Sequence, residues 1–261
     1  MSETRSPTVT IADGVAMPLL GLGTWQASDR EAYDAVRAAL DLGYRSIDTA
    51  TMYGNEDAVG RAVRDSGLAR EEVFVTTKLR GGDAGRERET IRASLDAMGL
   101  DHVDLWLIHW PVARGKGPGT WQRFVETRDA GLTRSIGVSN YSAAEIDELI
   151  DATGVVPAVN QIEWTPALYD AATVGAHRDR GVTLEGYSPF KAADLRNPIL
   201  AAIAEDHGVT VPQVILRWHL EHGFVAIPKS SDAGRIAENF DVFGFALDGD
   251  EVARIDSLGR R

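Results

Sequence analysis

Short apolar runs alternate with amphipathic segments along almost the whole chain. The apolar runs are rich in Val, Ile and Leu and are bounded by polar residues or glycine, which is typical of buried strands. The run at 103–110 is apolar on both faces, as expected for a parallel strand that is covered by helices. The predicted strands occupy residues 19–23, 46–50, 73–79, 103–110, 134–140, 155–164, 182–189 and 224–230.

The segments between these runs have apolar residues at helical spacing, and most of them end at a glycine, which favours helix termination. One of them opens with the capping-box pattern of Ser142 and Glu145. The predicted helices occupy residues 29–43, 56–67, 88–99, 121–131, 142–154, 170–181, 198–208, 211–223, 232–240 and 249–259.

The order of these elements predicts an α/β fold, namely a (β/α)₈ TIM barrel with additional C-terminal helices. Asp13 and Gly14 between two short apolar runs predict a β-hairpin ahead of the barrel. An open doubly wound sheet is the alternative, but its G-x-G-x-x-G pattern is incomplete here, because Gly21 and Gly23 lack a third glycine and a closely following helix. No linker or shift in composition is visible, so we expect a single domain over residues 1–261.

Composition narrows the classes of function. The chain has 261 residues, of which 44% are hydrophobic, and this length is near that of one barrel, although length alone also allows two smaller domains. Its net charge of -12 makes the protein a poor candidate for binding nucleic acid and favours solubility instead. The absence of cysteine excludes disulfides, thiolate catalysis and zinc-thiolate sites.

Targeting signals are not visible in the sequence. The N-terminal segment MSETRSPTV is polar and has no apolar stretch of the kind found in signal peptides. No apolar run reaches the length of a membrane span. We therefore expect a cytoplasmic protein that does not associate with a membrane.

Four polar residues that can handle a proton lie at or just beyond the ends of three successive predicted strands. They are Asp48, Tyr53, Lys78 and His109. In a (β/α)₈ barrel the C-terminal ends of the strands form the mouth in which catalytic groups gather. The sequence therefore predicts that these four side chains share one site.

The motifs around these residues resemble those of the aldo-keto reductases. In order, from about Pro18 to Leu258, the chain contains GLGTW, SIDTATMYGNE, TTKL, LIHWP, IGVSN, NQIEW and IPKS. The resemblance extends to the bacterial branch that includes the 2,5-diketo-gluconate reductases. It implies a (β/α)₈ barrel, NADPH bound without a Rossmann domain, and reversible reduction of small-molecule carbonyls such as aldehydes, α-dicarbonyls or keto-sugars. It also implies a monomer, and no metal site is expected.

Carbonyl reduction requires a hydride at carbon and a proton at oxygen. A free tyrosine titrates near pH ~10, and a neighbouring lysine cation is expected to lower that pKa. Tyr53 is thus the candidate proton donor, with Lys78 and Asp48 as its relay. His109 is expected to orient the carbonyl oxygen and to stabilise the charge that develops there. The same four positions match the catalytic tetrad of the family.

The resemblance also implies which residues bind the nicotinamide half of the cofactor. Ser139, Asn140 and Gln161 match the residues that bind the carboxamide, and Tyr187 matches the aromatic that stacks on the ring. Other matches near the nicotinamide and pyrophosphate are Thr24, Trp25, Ser188, Phe190 and Lys191.

The eighth predicted strand leads into the residues expected at the other end of the cofactor. Lys229, Ser230 and Arg235 match the family's clasp on the 2′-phosphate, and Glu238 and Asn239 match positions near adenine. Arginine and lysine suit a phosphate, and a helix beginning near Ser231 would add free backbone N–H groups. These residues favour NADPH over NADH.

The substrate pocket is expected to have aromatic walls. Trp25 and Trp110 match the walls beside the tetrad, with His109 at the pocket floor. Arg80 stands where many relatives have an aromatic, so it either favours an anionic or polyhydroxylated substrate or faces solvent, and the two readings are about equally supported. The short loops and the chain end at LGRR predict a permissive pocket.

Two other classes of function are alternatives to a reductase. A non-catalytic nucleotide-binding protein would be favoured by loss of a tetrad member, and none is lost. A metal-dependent barrel hydrolase needs clustered His and carboxylate ligands at strand ends. Of the six histidines only His109 ends a predicted strand, so this class ranks last.

Overall fold

An N-terminal hairpin precedes the main sheet. The structure is a computed structural model and describes residues 6–191 and 193–259. Strands β1 (Thr8–Thr10) and β2 (Ala16–Pro18) pair antiparallel, and Gly14 in the turn between them has a φ of 75°. This left-handed conformation is readily adopted by glycine, which is why the Asp-Gly pair predicted the turn correctly.

Eight parallel strands form the barrel, each hydrogen-bonded to its neighbour in chain order. Bridges between Leu20 and Ala226 and between Gly23 and Lys229 join the first strand to the last. The predicted (β/α)₈ fold is therefore confirmed. The strands are β3 (Leu22–Gly23), β4 (Ser46–Asp48), β5 (Phe74–Leu79), β6 (Val103–Ile108), β7 (Thr133–Ser139), β8 (Val159–Glu163), β9 (Thr183–Tyr187) and β10 (Val225–Ile227).

Helices follow the strands, with one extra helix after β9 and another at the C-terminal end. Glycine in the left-handed region ends several of them, as at Gly43 and Gly99, and the predicted capping box at Ser142 is present. The helices are α1 (Asp29–Leu42), α2 (Glu56–Asp65), α3 (Glu87–Met98), α4 (Gly117–Asp129), α5 (Ala143–Thr153), α6 (Ala171–Asp179), α7 (Pro198–His207), α8 (Val211–Glu221), α9 (Ala233–Phe240) and α10 (Gly249–Asp256).

One predicted helix start is wrong and another is shifted by one residue. Helix α4 begins at Gly117 rather than Trp121, because Pro118 suits the first turn of a helix. Helix α9 begins at Ala233, one residue after the predicted start, because the side chain of Asp232 accepts a hydrogen bond from the backbone N–H of Arg235 and caps the helix.

The outer helices pack closely on the barrel and on one another. Trp106 on β6 stacks on Phe124 of α4 with ring centroids 3.8 Å apart. Helices α2 and α3 approach so closely that a Cβ atom at Gly60 would overlap the backbone of Met98. Such close contacts are typical of densely packed protein interiors.

Among the described residues, no single helix is long and apolar enough to cross a membrane. Helices α7 and α8 meet the length and composition criteria only when taken together, and they are bent by 90° at the break between them.

Candidate active site

The C-terminal ends of β4, β5 and β6 bring the four candidate catalytic side chains together. Asp48 is the last residue of β4, Lys78 lies one residue before the end of β5, and His109 directly follows β6. Tyr53 ends the 3₁₀ turn Thr51–Tyr53 that follows β4. Side chains that are separated in sequence therefore meet at one end of the barrel, as predicted.

Lys78 is the centre of this group. Its Nζ donates to Asp48 Oδ1 at 2.6 Å, to the backbone oxygen of Thr49 at 2.8 Å and to Tyr53 Oη at 3.4 Å. An ammonium group has three hydrogens, so all of its donor capacity is used. Lys78 is fully buried and Asp48 almost so, which makes the geometry of this ion pair rigid.

The environment keeps Lys78 charged. Burial by itself lowers the pKa of this ammonium, but the charge of Asp48, the interaction with Tyr53 and the hydrogen bond to Asp48 outweigh it, so the pKa lies above its usual value. The lysine is therefore a cation at neutral pH.

The pKa of Tyr53 differs from the expectation. Burial raises it above its ordinary value, and although Lys78 opposes this shift, Asp48 adds to the increase, so the net direction is upward. The prediction of a lowered pKa was wrong because it counted the lysine and not the desolvation of the ring hydroxyl. The phenol thus keeps its proton at neutral pH, with a cation ready to stabilise the phenolate.

His109 lies against this pair as a neutral ring. Its imidazole meets the Tyr53 ring edge-on, with centroids 5.6 Å apart. Burial first, and then the charge of Lys78, lowers the pKa of His109 to about 3. At neutral pH the imidazole is uncharged, so it offers one N–H donor and one acceptor.

Polar side chains on β7, β8 and β9 continue the site. Asn140 Nδ2 donates to Ser139 Oγ at 2.9 Å and to the backbone oxygen of His109 at 3.3 Å. Tyr187 Oη donates to Asn140 Oδ1 at 2.9 Å, and Ser139 Oγ donates to the backbone oxygen of Gln161 at 2.8 Å. The four residues predicted at the nicotinamide are therefore neighbours in one network.

The side-chain amide of Gln161 joins this network to the tetrad. Its Nε2 donates to Asp48 Oδ2 and to Glu185 Oε2, each at 2.8 Å. Glu185 is completely buried, and sequence reasoning missed it. The available signal was an acidic residue in the middle of the predicted strand 182–189.

Asn55 is a second residue that sequence reasoning missed. Its Nδ2 donates to the backbone oxygens of Thr24 and Ala27, and its Oδ1 accepts from Thr49 Oγ1 at 2.8 Å. It therefore ties the loop after β3 to the end of β4. Its place in the motif SIDTATMYGNE was the signal that could have identified it.

A cavity of about 360 Å³ opens above these groups. Trp25 and Trp110 flank it and are 44% and 51% exposed, respectively, and Met52 is 43% exposed beside them. The residues that line the cavity are Gly23, Trp25, Asp48, Met52, Tyr53, His109, Trp110, Ser139, Asn140, Gln161, Glu163, Tyr187, Ser188, Lys191, Ile227 and Lys229.

Only some of the residues expected at the 2′-phosphate lie at the cavity. Lys229 is exposed and lines the cavity, and Arg235 is exposed in the first turn of α9. Ser230 is buried, and its hydroxyl bonds to the backbone of Asp232 within the turn. Glu238 and Asn239 lie further along α9 and do not line the cavity. Because Asp232 caps the helix, one backbone N–H that was expected for the phosphate is already bonded.

Other predicted residues have structural roles or lie at the rim. Thr24 is buried and donates to the backbone oxygen of Asp48 at 2.9 Å, so it supports β4 and does not line the cavity. Phe190 packs partly buried against the core, and Lys191 forms an ion pair of 3.2 Å with Glu163 at the cavity edge. Arg80 is exposed and does not line the cavity.

The described part of the chain contains no group of three or more His, Asp or Glu side chains that could hold a metal ion.

Comparisons with known proteins agree with the geometry. The profile of the "Aldo/keto reductase family" matches residues 19–260. The chain is 46% identical to 2,5-diketo-D-gluconic acid reductase B from a Corynebacterium species, over 97% of this chain and 94% of that protein. It is 43% identical to methylglyoxal reductase DkgA from Escherichia coli, with the same coverage.

Structural similarity extends over the whole barrel. The crystal structure of an aldo-keto reductase from Bombyx mori, solved in complex with NADP, superposes with a TM-score of 0.92 at 34% identity, over 98% of this chain and 94% of that one. The sequence match, the barrel and this superposition together show that the chain belongs to the aldo/keto reductase family.

Proposed function

We propose that this protein reduces the carbonyl groups of small aldehydes, α-dicarbonyls or keto-sugars to alcohols with NADPH, and that Tyr53 donates the proton. As a member of the aldo/keto reductase family the protein is an oxidoreductase. The observation that carries the proposal is the Lys78 ammonium, which touches both Asp48 and the Tyr53 hydroxyl at the floor of the cavity.

The residues present fit a nicotinamide cofactor. Both amide hydrogens of Gln161 are committed to carboxyl groups, so its oxygen is left to accept from a carboxamide N–H. Tyr187 is half-buried at the cavity wall, where its ring can stack on a second ring. Lys229 lines the cavity and supplies a cation for phosphate. The solved relative in complex with NADP supports the same cofactor.

The proposed reaction uses a few groups in fixed roles. NADPH supplies the hydride that goes to the carbonyl carbon. The Tyr53 hydroxyl gives its proton to the carbonyl oxygen, and Lys78 stabilises the phenolate that forms, because it lies within hydrogen-bond distance. Asp48 keeps the ammonium charged and in place. The neutral imidazole of His109 donates a hydrogen bond to the carbonyl oxygen and orients it for transfer.

The proposed substrates are suggested by the relatives and by the cavity walls. The named relatives act on methylglyoxal and on a diketo-sugar acid. Trp25, Met52 and Trp110 offer large apolar faces at the rim, which suits the carbon skeleton of a small aldehyde. The single-domain organisation over residues 1–261, the monomeric state and the cytoplasmic location stay predictions.

The function is tested by following NADPH oxidation with three carbonyl compounds, namely methylglyoxal, benzaldehyde and a diketo-sugar acid. We expect turnover with at least one of them, and the ranking of kcat/KM identifies the substrate class. Tight binding of NADPH without turnover of any of the three would favour the nucleotide-binding alternative instead.

The cation at the end of β10 is expected to set the preference for NADPH. Replacement of Lys229 with methionine should weaken NADPH binding by about 10- to 100-fold, since a hydrogen bond to a charged group contributes roughly 1.5–3 kcal/mol. NADH lacks the 2′-phosphate, so its dissociation constant should change little. Quenching of tryptophan fluorescence gives both constants, and an equal loss for the two cofactors would contradict the assignment.

A further inference from the structure

Glu185 is a buried acid beside the proposed site whose function the mechanism leaves unexplained. It lies in the middle of β9 and is directly paired with Gln161 in the register of β8 and β9. Its side chain is completely buried. Burial first, and then the charge of Asp48, raises the pKa of Glu185 to about 8, while the hydrogen bond from Gln161 and the charge of Lys78 oppose this. A carboxyl group is costly to bury and needs a structural reason to be here.

The hydrogen bonds of Gln161 supply that reason. A primary amide has two N–H hydrogens, and here one goes to Asp48 Oδ2 and the other to Glu185 Oε2. Asp48 is ion-paired with Lys78 and can only accept, so a flipped amide would place two oxygens against each other. With a pKa of about 8 Glu185 is largely protonated at neutral pH, and its Oε2 then accepts as the carbonyl oxygen. Both hydrogens of the Gln161 amide are thus held on the barrel side, and the amide oxygen is left over.

That oxygen is the part of Gln161 that remains for a ligand. Gln161 lines the cavity, and its Oε1 is not engaged by either carboxyl group. An oxygen accepts hydrogen bonds, so the cavity wall at this point selects a ligand group that carries an N–H or O–H donor. The carboxamide of nicotinamide carries such a donor.

We propose that Glu185 is a positioning residue that, together with Asp48, locks the Gln161 amide with its oxygen towards the cavity and thereby makes the site prefer a carboxamide on the cofactor ring. The inference rests on the proposed use of NADPH. It adds a role for a residue that does not touch the reacting atoms.

A proton store is the other role that a buried acid could have. Glu185 makes its hydrogen bond through Oε2 to Gln161, and its Oε1 has no hydrogen-bond partner among the described residues. The amide between Glu185 and Asp48 does not titrate, so this contact gives no route for a proton to Tyr53. The contacts therefore favour a positioning role.

The test compares two cofactors that differ only in the group that Gln161 is expected to recognise. NADP⁺ carries a carboxamide, and its 3-acetylpyridine analogue carries a methyl ketone, which keeps the carbonyl and lacks the N–H donor. Dissociation constants for both are measured by tryptophan fluorescence quenching, and the ratio of the two constants is the readout. This ratio is independent of turnover.

Two neutral substitutions test the acceptor oxygen of Glu185. Glu185→Met removes the acceptor and keeps the length of the side chain, and we expect the preference for NADP⁺ over the analogue to fall by about tenfold, equivalent to roughly one hydrogen bond. Glu185→Gln keeps an oxygen that can accept from Gln161, and we expect it to retain the wild-type ratio. Glu185→Leu carries the same expectation as Glu185→Met and replaces it if that variant does not fold.

A third variant controls for the loss of a buried acid as such. Glu87 is 1% exposed and does not line the cavity, so Glu87→Met should leave the ratio unchanged. An unchanged ratio in Glu185→Met, or an equal loss in the Gln and Met variants, would overturn the positioning role alone. Failure of the wild-type protein to bind NADP⁺ would overturn the proposed function and this inference with it.

Discussion

Replacement of Tyr53 with phenylalanine is expected to lower kcat for carbonyl reduction by about 10²- to 10⁴-fold, the range that a positioned general acid contributes. The substitution removes only the hydroxyl that lies 3.4 Å from Lys78 Nζ. The ring contacts with Trp25 and His109 remain possible, so the cavity should keep its shape. NADPH binding should therefore change far less than kcat.

The measurement is steady-state NADPH oxidation with the best substrate found for the wild-type protein, together with the dissociation constant for NADPH. Tyr33→Phe is the matched control, because that tyrosine donates its hydroxyl to Asp65 on the outer helices, away from the cavity. Its activity should equal that of the wild type. If Tyr53→Phe kept more than about a tenth of the wild-type kcat, proton donation by Tyr53 would be contradicted.

Replacement of Lys78 with methionine is expected to destabilise the fold by about 3–5 kcal/mol, because it leaves buried carboxyl groups without their cation. Asp48 loses its ion-pair partner at 2.6 Å. Glu185 is a second buried carboxyl group nearby, since it accepts a hydrogen bond from the same Gln161 amide as Asp48. Activity should be lost as well, since nothing then stabilises a Tyr53 phenolate. The exposed Lys116 offers a control, and Lys116→Met should change stability by less than about 0.5 kcal/mol.

The loss of stability in Lys78→Met should depend on pH. Burial already raises the pKa of Glu185 to about 8, and loss of Lys78 removes a charge that opposes this increase. A group with a raised pKa stabilises the fold at low pH, and this contribution is lost as pH rises through the folded-state pKa. The variant should therefore be closer to wild type at mildly acidic pH than at mildly alkaline pH. Urea unfolding at both conditions measures this, and a deficit that is the same at both would count against it.

The barrel and the tetrad could be predicted because both follow from local patterns. Each strand is a short apolar run, and Asp48, Lys78 and His109 stand at the ends of three such runs. A parallel barrel sends all its strand ends to one face, so their proximity needs no knowledge of distant contacts. The strand order then follows the chain order, as observed.

The hydrogen bonds that support the tetrad from behind could not be predicted, because they join residues that are far apart in the sequence. Gln161 donates to Asp48 across 113 positions of sequence, and nothing in either motif shows that their side chains meet. Burial was also invisible, so the pKa of Tyr53 was predicted in the wrong direction. At the phosphate end, Ser230 and Asp232 satisfy each other's hydrogen bonds, which a motif match does not reveal.

The joint between the first and last barrel strands links cofactor binding to the stability of the barrel. Strand β3 has two residues, and the described backbone bonds across the joint are those of Gly21 to Ala226, Gly23 to Pro228 and Ala226 to Leu19. Lys229 lies at this joint opposite Gly23. Lys229 is expected to hold the phosphate of the cofactor, so a bound dinucleotide would lie against the residues that close the barrel. Binding at this joint would therefore add to the free energy of unfolding of the closed barrel.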